Sequence, residues 1–555
     1  MKMNYINGLF MLAAGAFVAS CADYNVTDDF VAEKDPTFVE PYMDLAPVKS
    51  YIDREKFSNM SLGATLNVSD FNKQELAHAA AVTNFDNYAF GKGLMSGSIV
   101  NAKGAMNFID MKDLLDHVEE IGGEVFGSPI VANSNQADSW MNMLTAPIEV
   151  PVDFVEGKKV NYNDSTVFNG TKESGSASIG EFEGKNVLII GTKKRPKANI
   201  RIIEGFEVDS LAKYTITFYA RSATNIDASF TVNFSGTEVE GTGLGGKWPL
   251  PAGTWRKFVV ENLSVSGVKE GYLRIGNTNS SVIYIQNVEL GYFPANQRPQ
   301  TAQEKKDTVT YALNTWCDEL MKTNAGRIKS FDLIDEAIDT KSELENGMYD
   351  LKHSNDKVFW QDIFGSENYA PTVARTARQA FEKHGGDPAE LKFFISESGL
   401  DNAKKMESLN YWIKLWDDNG AKIDGINAKV SLVFFENEER QAANVANINT
   451  LLDNLVATGK LIRLSNFDIA YRDADNNNVS AKDITEEQRQ KLADFNAYVI
   501  KSYLTKIPND RQAGICKGNI SDTSDPVGLW SIDTRSKDWV RTATYKAFCN
   551  ALSGE

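Results

Sequence analysis

The chain has 555 residues, with 58 Lys and Arg against 75 Asp and Glu, and a formal net charge of -17. This length exceeds one ordinary core of roughly 100–200 residues and predicts two domains, or one large barrel with an insertion. The acidic balance argues against a nucleic-acid partner, because binding to phosphates requires clustered Lys and Arg. The four His residues stand apart in the sequence, without Cys or His at metal-ligand spacing, so no metal site is predicted.

Residues 1–21 have the features of a processing signal. A short basic start precedes an apolar run at residues 9–17, which is too short to span a bilayer of ~30 Å. The small residues Val18, Ala19 and Ser20 before Cys21 resemble a bacterial lipobox, in which the cysteine is lipidated. The alternative is an ordinary secretory signal with an incidental cysteine. We expect lipidation at Cys21, and with it a lipoprotein anchored at the outer membrane or cell surface.

Residues 22–55 are acidic and punctuated by proline, which predicts a tether. In residues 56–147 and 296–555, apolar strand-like segments alternate with helical ones, which predicts βαβ units and a parallel sheet. Eight strand segments are predicted, at residues 61–66, 88–90, 124–131, 329–334, 391–395, 428–433, 461–464 and 513–516. Eight such units are typical of a (β/α)8 TIM barrel, an α/β fold.

Residues 148–295 have a different sequence pattern, because no stretch keeps the hydrophobic periodicity of a helix. Seven β-rich runs are separated by Gly, Asn, Ser and Thr, at residues 185–190, 199–203, 214–220, 228–234, 256–260, 272–275 and 282–285. This pattern predicts an all-β jelly-roll sandwich that interrupts the barrel after its third strand. Since βα loops form the catalytic face of such barrels, we expect the insert to lie at the barrel mouth.

Five motifs outside the insert follow one another along the chain. Residues 331–337 read Phe-Asp-Leu-Ile-Asp-Glu-Ala, and the others lie at residues 364–369, 387–398, 423–426 and 541–548. In this order they resemble the fourth-strand W-D-V-V-N-E-A, the L-G-E-D-Y helix start, the fifth strand, the I-D-G-I-G turn and the terminal K-P-A-Y helix of glycoside hydrolase family 10. The members of that family are endo-β-1,4-xylanases, and the resemblance therefore implies a TIM barrel that acts on xylan.

Within the insert, residues 214–221, 254–258 and 284–290 resemble the strand pattern of carbohydrate-binding modules of families 4, 9 and 22. Trp248 follows a glycine-rich loop at residues 241–246 and is the best candidate for stacking against a sugar ring. The alternative is that Trp248 caps the sandwich core. No cofactor is predicted, and the resemblance leaves open a structural Ca²⁺ in the insert.

The resemblance also assigns the catalytic positions. Retaining glycosidases need two carboxyl groups ~5–5.5 Å apart. Glu336 stands at the family's acid/base position, at the end of the fourth strand. Residues 464–469 align with the seventh-strand T-E-L-D motif, which places Asn466 at the position of the nucleophile. An amide cannot form a glycosyl ester, so we expect double displacement to fail at its first step.

Other sugar contacts of the family are replaced as well. Asp335 stands in place of an Asn, Glu397 lies in the fifth-strand segment, and Lys429 and Lys517 replace a Gln and a Trp. We treat these four residues as candidate binding residues. Either lysine could pair with Glu336 or Asp335 and lower the pKa of that carboxyl group. A lowered pKa would make Glu336 unsuitable as a general acid, which needs a raised pKa.

Three functions are compatible with these features. The first is a degenerate barrel that captures polysaccharide of the xylan or β-glucan class, resembling Bacteroidetes-type surface lipoproteins that work with outer-membrane glycan-uptake proteins. The second is an active hydrolase in which Glu336 is the general acid and Asp468, Glu397 or Asp335 activates water, which needs a separation of ~6.5–9.5 Å. The third is a structural lipoprotein. The replaced nucleophile favours the first function, a glycan-binding pseudoenzyme.

Overall fold

The computed structural model describes residues 42–224, 226–265, 267–533 and 537–554. Two compact units are formed: residues 145–305 make one, and the described residues before and after them make the other. Cys21 and the expected signal lie outside the described residues.

The first part of the barrel unit contains short strands separated by helices. Its strands are Leu62–Thr65 (β1), Asn87–Ala89 (β2), Glu124–Gly127 (β3) and Val131–Ala132 (β4). Its helices are Val68–Asn72 (α1), Leu76–Asn84 (α2), Ser96–Ile99 (α3), Ile109–Glu120 (α4) and Asp138–Leu144 (α5).

The inserted unit consists almost entirely of strands. They are Ile148–Glu149 (β5), Val155–Val160 (β6), Lys172–Ser174 (β7), Ala177–Phe182 (β8), Lys185–Ile190 (β9), Ala198–Glu207 (β10), Lys213–Ser222 (β11), Ala228–Phe234 (β12), Thr237–Val239 (β13), Trp248–Leu250 (β14), Arg256–Leu263 (β15), Glu270–Asn277 (β16), Ile283–Phe293 (β17) and Gln297–Arg298 (β18).

The rest of the chain returns to alternating strands and helices. The strands are Ser330–Asp335 (β19), Ile338–Glu343 (β20), Tyr349–Leu351 (β21), Lys392–Ser398 (β22), Gly425–Phe435 (β23), Leu461–Arg472 (β24), Gln512–Lys517 (β25), Trp530–Ile532 (β26) and Trp539–Arg541 (β27). The helices are Ala302–Asn324 (α6), Trp360–Phe364 (α7), Ser366–Lys383 (α8), Ala403–Asp418 (α9), Glu438–Ala457 (α10), Glu486–Lys506 (α11) and Ala543–Ser553 (α12).

The barrel strands pair in the order β22-β23-β24-β25-β1-β2-β3-β19, and β19 also pairs with β22, which closes the ring. These pairings are all parallel. The short strand β4 follows β3 in the chain and pairs with the end of β19, so β3 and β4 together form the third barrel strand. Each of the eight predicted strand segments overlaps one of the eight barrel strands. The prediction of a (β/α)8 barrel is confirmed.

Local sequence signals fix where the barrel helices begin. Helix α11 starts with a capping box, in which the Thr485 side chain accepts from the backbone N–H of Gln488 and the Gln488 side chain accepts from that of Thr485. The Asn402 and Asn437 side chains cap α9 and α10 in the same sense, each accepting from a backbone N–H three residues on. Caps of this kind satisfy N–H groups that have no partner within the helix.

The inserted unit contains two antiparallel six-stranded sheets around one hydrophobic core. Buried and outward-facing residues alternate along β11, so that Ile216, Phe218 and Ala220 share its buried face. The Phe218 and Phe230 rings meet between the sheets with their centroids 5.7 Å apart. In chain order this unit follows β4, which ends the third barrel strand. The jelly-roll strand order and the position of the insert at the barrel mouth remain predictions.

Trp316 on α6 provides a test of the barrel core. Its side chain is 1% exposed, and its indole N–H donates to the carbonyl oxygen of Ile130 at 2.9 Å. We expect Trp316→Ala to lower the free energy of unfolding by about 3–5 kcal/mol, because it leaves a cavity and an unpaired carbonyl.

Urea denaturation of the full chain measures this effect. Tyr311→Ala on the same helix is the matched control, because Tyr311 is 62% exposed. Equal losses for the two variants would contradict the assignment of Trp316 to the core.

Candidate functional site

The C-terminal ends of the barrel strands bring Glu336 to one rim of the barrel. Glu336 directly follows β19 and has a left-handed backbone, with φ of 50°. Its backbone N–H donates to the carbonyl oxygen of Ser396 at 2.9 Å, and the Lys352 ammonium donates to its carbonyl oxygen at 2.5 Å. A non-glycine residue in this region is uncommon, and such positions persist where the surrounding structure fixes them.

Two lysines face the side chain of Glu336. The Lys429 Nζ lies 3.5 Å from Glu336 Oε1, and the Lys405 Nζ lies 3.8 Å from Glu336 Oε2. Burial alone would raise the pKa of Glu336, but the charge of Lys429, a hydrogen bond from Ser398 and the charge of Lys405 outweigh it, so the pKa lies below its ordinary value. Glu336 is therefore held as a carboxylate.

Lys429 also pairs with Asp335, the last residue of β19. Burial lowers the pKa of Lys429, but the charges of Asp335 and Glu336 raise it by more, so the net shift is upward. Lys429 thus remains cationic between two carboxylates. This contact agrees with the expected pairing of Lys429 with Asp335 and Glu336.

Glu397 on β22 forms a second carboxylate–lysine pair. Its side chain is fully buried, its Oε1 accepts from the backbone N–H of Ile338 at 2.9 Å, and its Oε2 lies 2.7 Å from the Lys405 Nζ. Burial raises the pKa of Glu397 to about 7, against the opposing charge of Lys405, and the charge of Glu336 adds to the rise. Both oxygens have partners from the protein, which is the environment of a structural residue.

Lys517 pairs with Asp468 and not with Glu336 or Asp335. Its buried Nζ donates to Asp468 Oδ1 at 2.7 Å and to the carbonyl oxygens of Phe467 and Val527 at 2.7 and 2.8 Å. The expectation for Lys517 is corrected here: it ends β25, which pairs directly with β24, and so it meets the carboxylate carried by β24. Asp468 also accepts from Asn519, from its backbone and its side chain.

Asn466 lies exposed on β24 with φ of 49°, a backbone geometry that asparagine tolerates. Its side chain borders a cavity of about 270 Å³ at the barrel mouth. The cavity is lined by Thr65, Ala89, Gly91, Lys92, Met95, Phe126, Gly127, Ser128, Pro129, Ser134, Asp332, Asp335, Asn427, Lys429, Arg463, Ser465, Asn466 and Cys516. Asn466, Asp335 and Lys429 are thus brought to one cavity, while Glu336 is linked to it through Lys429.

Trp248 lies in the inserted unit and is half-buried. Its indole stacks on Phe230 at a centroid distance of 6.5 Å and meets Phe258 edge-on at 6.1 Å. Its N–H donates to the carbonyl oxygen of Val239 at 3.1 Å. Of the two roles considered for Trp248, these contacts fit capping of the insert core, and sugar stacking remains a prediction for the exposed part of the ring.

Three residues at or near the barrel mouth escaped the sequence reasoning: Asp332, Lys405 and Arg463. Asp332 is 6% exposed and accepts from the Asn427 side chain at 2.9 and 3.1 Å. Lys405 is on helix α9, outside any quoted motif, and no sequence signal marked it. Arg463 and Asp332 did stand in strand segments, where a charged residue amid apolar neighbours is a signal of a buried polar cluster.

Two histidines that are far apart in sequence meet in space. The His78 and His117 Nε2 atoms are 3.1 Å apart, and burial together with the nearby His117 lowers the pKa of His78 to about 4.

Within the described ranges, no group of three or more His, Cys, Asp or Glu side chains is placed to hold a metal ion. Cys317, Cys516 and Cys549 are buried free thiols. No helix in the described part of the chain is long and apolar enough to cross a membrane.

Part of the barrel unit is similar to known proteins. Residues 294–524 match the family described as Glycosyl hydrolase family 10. Endo-1,4-beta-xylanase A of Cellvibrio japonicus (strain Ueda107) is 22% identical over 244 residues, which are 42% of this chain and 38% of that protein. This chain therefore matches about two fifths of the length of that relative.

Solved structures show the same fold. Native xylanase10C from Cellvibrio japonicus has a TM-score of 0.52 at 13% identity, covering 93% of this chain and 75% of that one. The Penicillium canescens endo-1,4-beta-xylanase XylE has a TM-score of 0.50 at 10% identity, covering 92% of this chain and 98% of that one. Together with the closed barrel, these likenesses show a TIM-barrel fold, and residues 294–524 of that barrel are similar to glycosyl hydrolase family 10.

Asp332 makes the stability of this domain depend on pH. Burial raises the pKa of Asp332 to about 7, and the charge of Asp335 adds to the rise. The folded state therefore binds this proton more tightly than the unfolded chain, so the stabilisation is complete below about pH 4 and is lost as the pH rises through about 7. We expect Asp332→Asn to gain about 2 kcal/mol relative to the wild type between pH 5 and pH 8.

Thermal denaturation of both proteins at pH 5 and pH 8 measures this change. Asp401→Asn is the control, because Asp401 is exposed. A difference between Asp332→Asn and the wild type that stays constant with pH would contradict the raised pKa.

Proposed function

We propose that this protein is a cell-surface glycan-binding lipoprotein whose xylanase-like barrel does not hydrolyse its ligand. The observation that carries the proposal is the state of the carboxylates at the barrel mouth. Glu336, Asp335, Glu397 and Asp468 each contact the ammonium group of Lys429, Lys405 or Lys517. Glycoside hydrolysis needs one carboxyl group protonated and a second one free to act on the anomeric carbon or on water.

Glu336 is poorly suited to act as the general acid. A general acid in a glycosidase has a raised pKa, so that it still carries its proton at the working pH. Lys429 and Lys405 lower the pKa of Glu336 instead. A carboxylate held in this way can accept hydrogen bonds from sugar hydroxyls, which suits binding.

The second catalytic position supports the same proposal. Asn466 stands at the seventh-strand position that the family motif gives to the nucleophile, and an amide cannot form the covalent glycosyl intermediate. Asp468 is the nearest carboxylate along the strand, but three hydrogen-bond donors hold it: Lys517 and the backbone and side chain of Asn519. Activation of a water by Asp468 would require it to give up these partners.

The alternative function is hydrolysis of xylan by an altered, inverting mechanism. Retention of Glu336 at the end of β19 favours it, since this is the family's acid/base position. Glu397, with its pKa raised to about 7, would be the carboxyl group with a suitable pKa, but it is fully buried and both its oxygens are engaged. We therefore rank binding above hydrolysis.

The lipid anchor and the surface location complete the proposal. They follow from the lipobox-like residues before Cys21, and the polysaccharide ligand of the xylan or β-glucan class follows from the family resemblance. A partner among outer-membrane glycan-uptake proteins fits an anchored binding protein. Trp248 in the insert remains a candidate for a second sugar contact.

Parallel assays of the mature protein test this function. We expect retardation in native gels that contain xylan or β-glucan, with no release of reducing sugar from the same polysaccharides. Glu336→Gln is expected to change the retardation by less than about threefold, because it removes a charge and keeps the side-chain shape.

Glu345→Gln provides the control, since Glu345 is exposed on the loop between β20 and β21. Sugar release that Glu336→Gln abolishes and Glu345→Gln preserves would reject the binding proposal in favour of hydrolysis. Absence of both retardation and release on every polysaccharide would favour a structural role.

A further inference from the structure

The barrel interior contains a buried cationic side chain that makes no hydrogen bond through its guanidinium within the described part of the chain. Arg463 lies on β24, is 1% exposed, and its Nε, Nη1 and Nη2 atoms have no hydrogen-bond partner within the described residues. The guanidinium lies over the ring of Phe126, 4.0 Å from its centroid. Buried polar groups are almost always hydrogen-bonded, and a buried charge without a partner is strongly unfavourable.

The unpaired guanidinium borders the cavity at the barrel mouth. Arg463, Asn427 and Lys92 all line this space of about 270 Å³, with Lys92 exposed at its edge. Neither nearby carboxylate accepts a hydrogen bond from Arg463: Asp335 pairs with Lys429, and Asp332 accepts from Asn427, although the charge of Arg463 does lower the pKa of Asp332. Arg463 lines the cavity, so its unused hydrogen-bond donors lie in the wall beside the space that a ligand would fill.

A second unpaired atom indicates what kind of molecule fits. The side-chain carbonyl oxygen Oδ1 of Asn427 is buried, and among the described residues it accepts no hydrogen bond. Arg463 can only donate, whereas this oxygen can only accept. A ligand that carries both an anionic acceptor group and a hydroxyl donor matches the pair best, because the guanidinium is cationic, whereas a halide or acetate offers no donor to Asn427.

We propose that this cavity binds a uronic acid residue of a glycan, with its carboxylate held by Arg463 and one hydroxyl donating to Asn427. The planar guanidinium donates two parallel hydrogen bonds to a carboxylate, which gives orientation as well as affinity. The volume is near the lower limit of ~300 Å³ for ligand pockets and suits one sugar ring. The inference rests on the proposed glycan-binding function and specifies an acidic sugar as its ligand.

The surroundings of the cavity allow a longer chain. A neighbouring cavity of about 600 Å³ shares Thr65, Gly91 and Lys92 with it. Further sugar units attached to the uronic acid can occupy this space, with Lys92 between the two cavities.

Calorimetry of the full chain with sodium glucuronate, sodium galacturonate, sodium acetate, glucose and galactose tests the inference at constant ionic strength. We expect at least one uronate to bind, and the matching neutral sugar to bind at least tenfold more weakly. Arg463→Met is expected to weaken uronate binding at least tenfold, and its thermal midpoint is measured alongside to verify that the variant folds.

Arg375→Met is the matched control, since Arg375 is exposed on α8 and should leave binding unchanged. Arg463→Lys provides a second variant in case Arg463→Met does not fold: it keeps the charge without the planar geometry, and we again expect about tenfold weaker binding. Unchanged uronate affinity in Arg463→Met or Arg463→Lys would overturn the inference. Equal binding of acetate and glucuronate would also overturn it, because it would indicate a general anion site.

Gel retardation on neutral xylan or β-glucan separates this inference from the proposed function. Retardation without uronate binding would overturn the acidic-sugar inference and leave glycan binding in place. Loss of both would reject glycan binding itself.

Discussion

Pairing between β19 and β22 is the constraint on which the site depends. It closes the parallel sheet into a ring and aligns Asp335 with Ser396, so that the residues following both positions meet at one rim. The hydrogen bond from the Glu336 backbone N–H to the Ser396 carbonyl oxygen continues this pairing beyond β19 and fixes a left-handed residue there. Without closure, Glu336 and Glu397 would not share Lys405.

At the barrel mouth formed in this way, lysine side chains neutralise the carboxylates through ion pairs. Lys405 and Lys429 bridge Glu336, Glu397 and Asp335, while Lys517 holds Asp468 on the neighbouring strands. In a low-dielectric setting such pairs fix protonation states strongly, and removal of one partner leaves a buried charge exposed to the full desolvation cost. The same pairing that stabilises the mouth disfavours protonation of Glu336, and Arg463 remains a buried cation in the wall of the neighbouring cavity.

The sequence predicted the elements of this architecture better than it predicted their contacts. Apolar runs with β-rich composition located all eight barrel strands, and the ordered motifs placed Glu336 directly after β19 and Asn466 on β24. The ion-pair partners of the charged side chains were harder to predict, because they depend on which strands are neighbours in the ring. Lys517 meets Asp468 because β25 adjoins β24. Helix α9 brings Lys405 to the mouth from outside any motif, and the contact of His78 with His117 joins two helices 39 positions apart. Neither contact follows from local periodicity.

The protonation state of Glu336 is the central physical claim, and a pH titration of its carboxyl group measures it directly. Carbon-13 NMR of protein labelled at the glutamate carboxyl carbon, with Glu336→Gln to assign the signal, would follow this group alone. The account predicts a pKa below the ordinary glutamate value, because Lys429 and Lys405 stabilise the carboxylate. A pKa raised to about 6 or above, as in a glycosidase general acid, would contradict it.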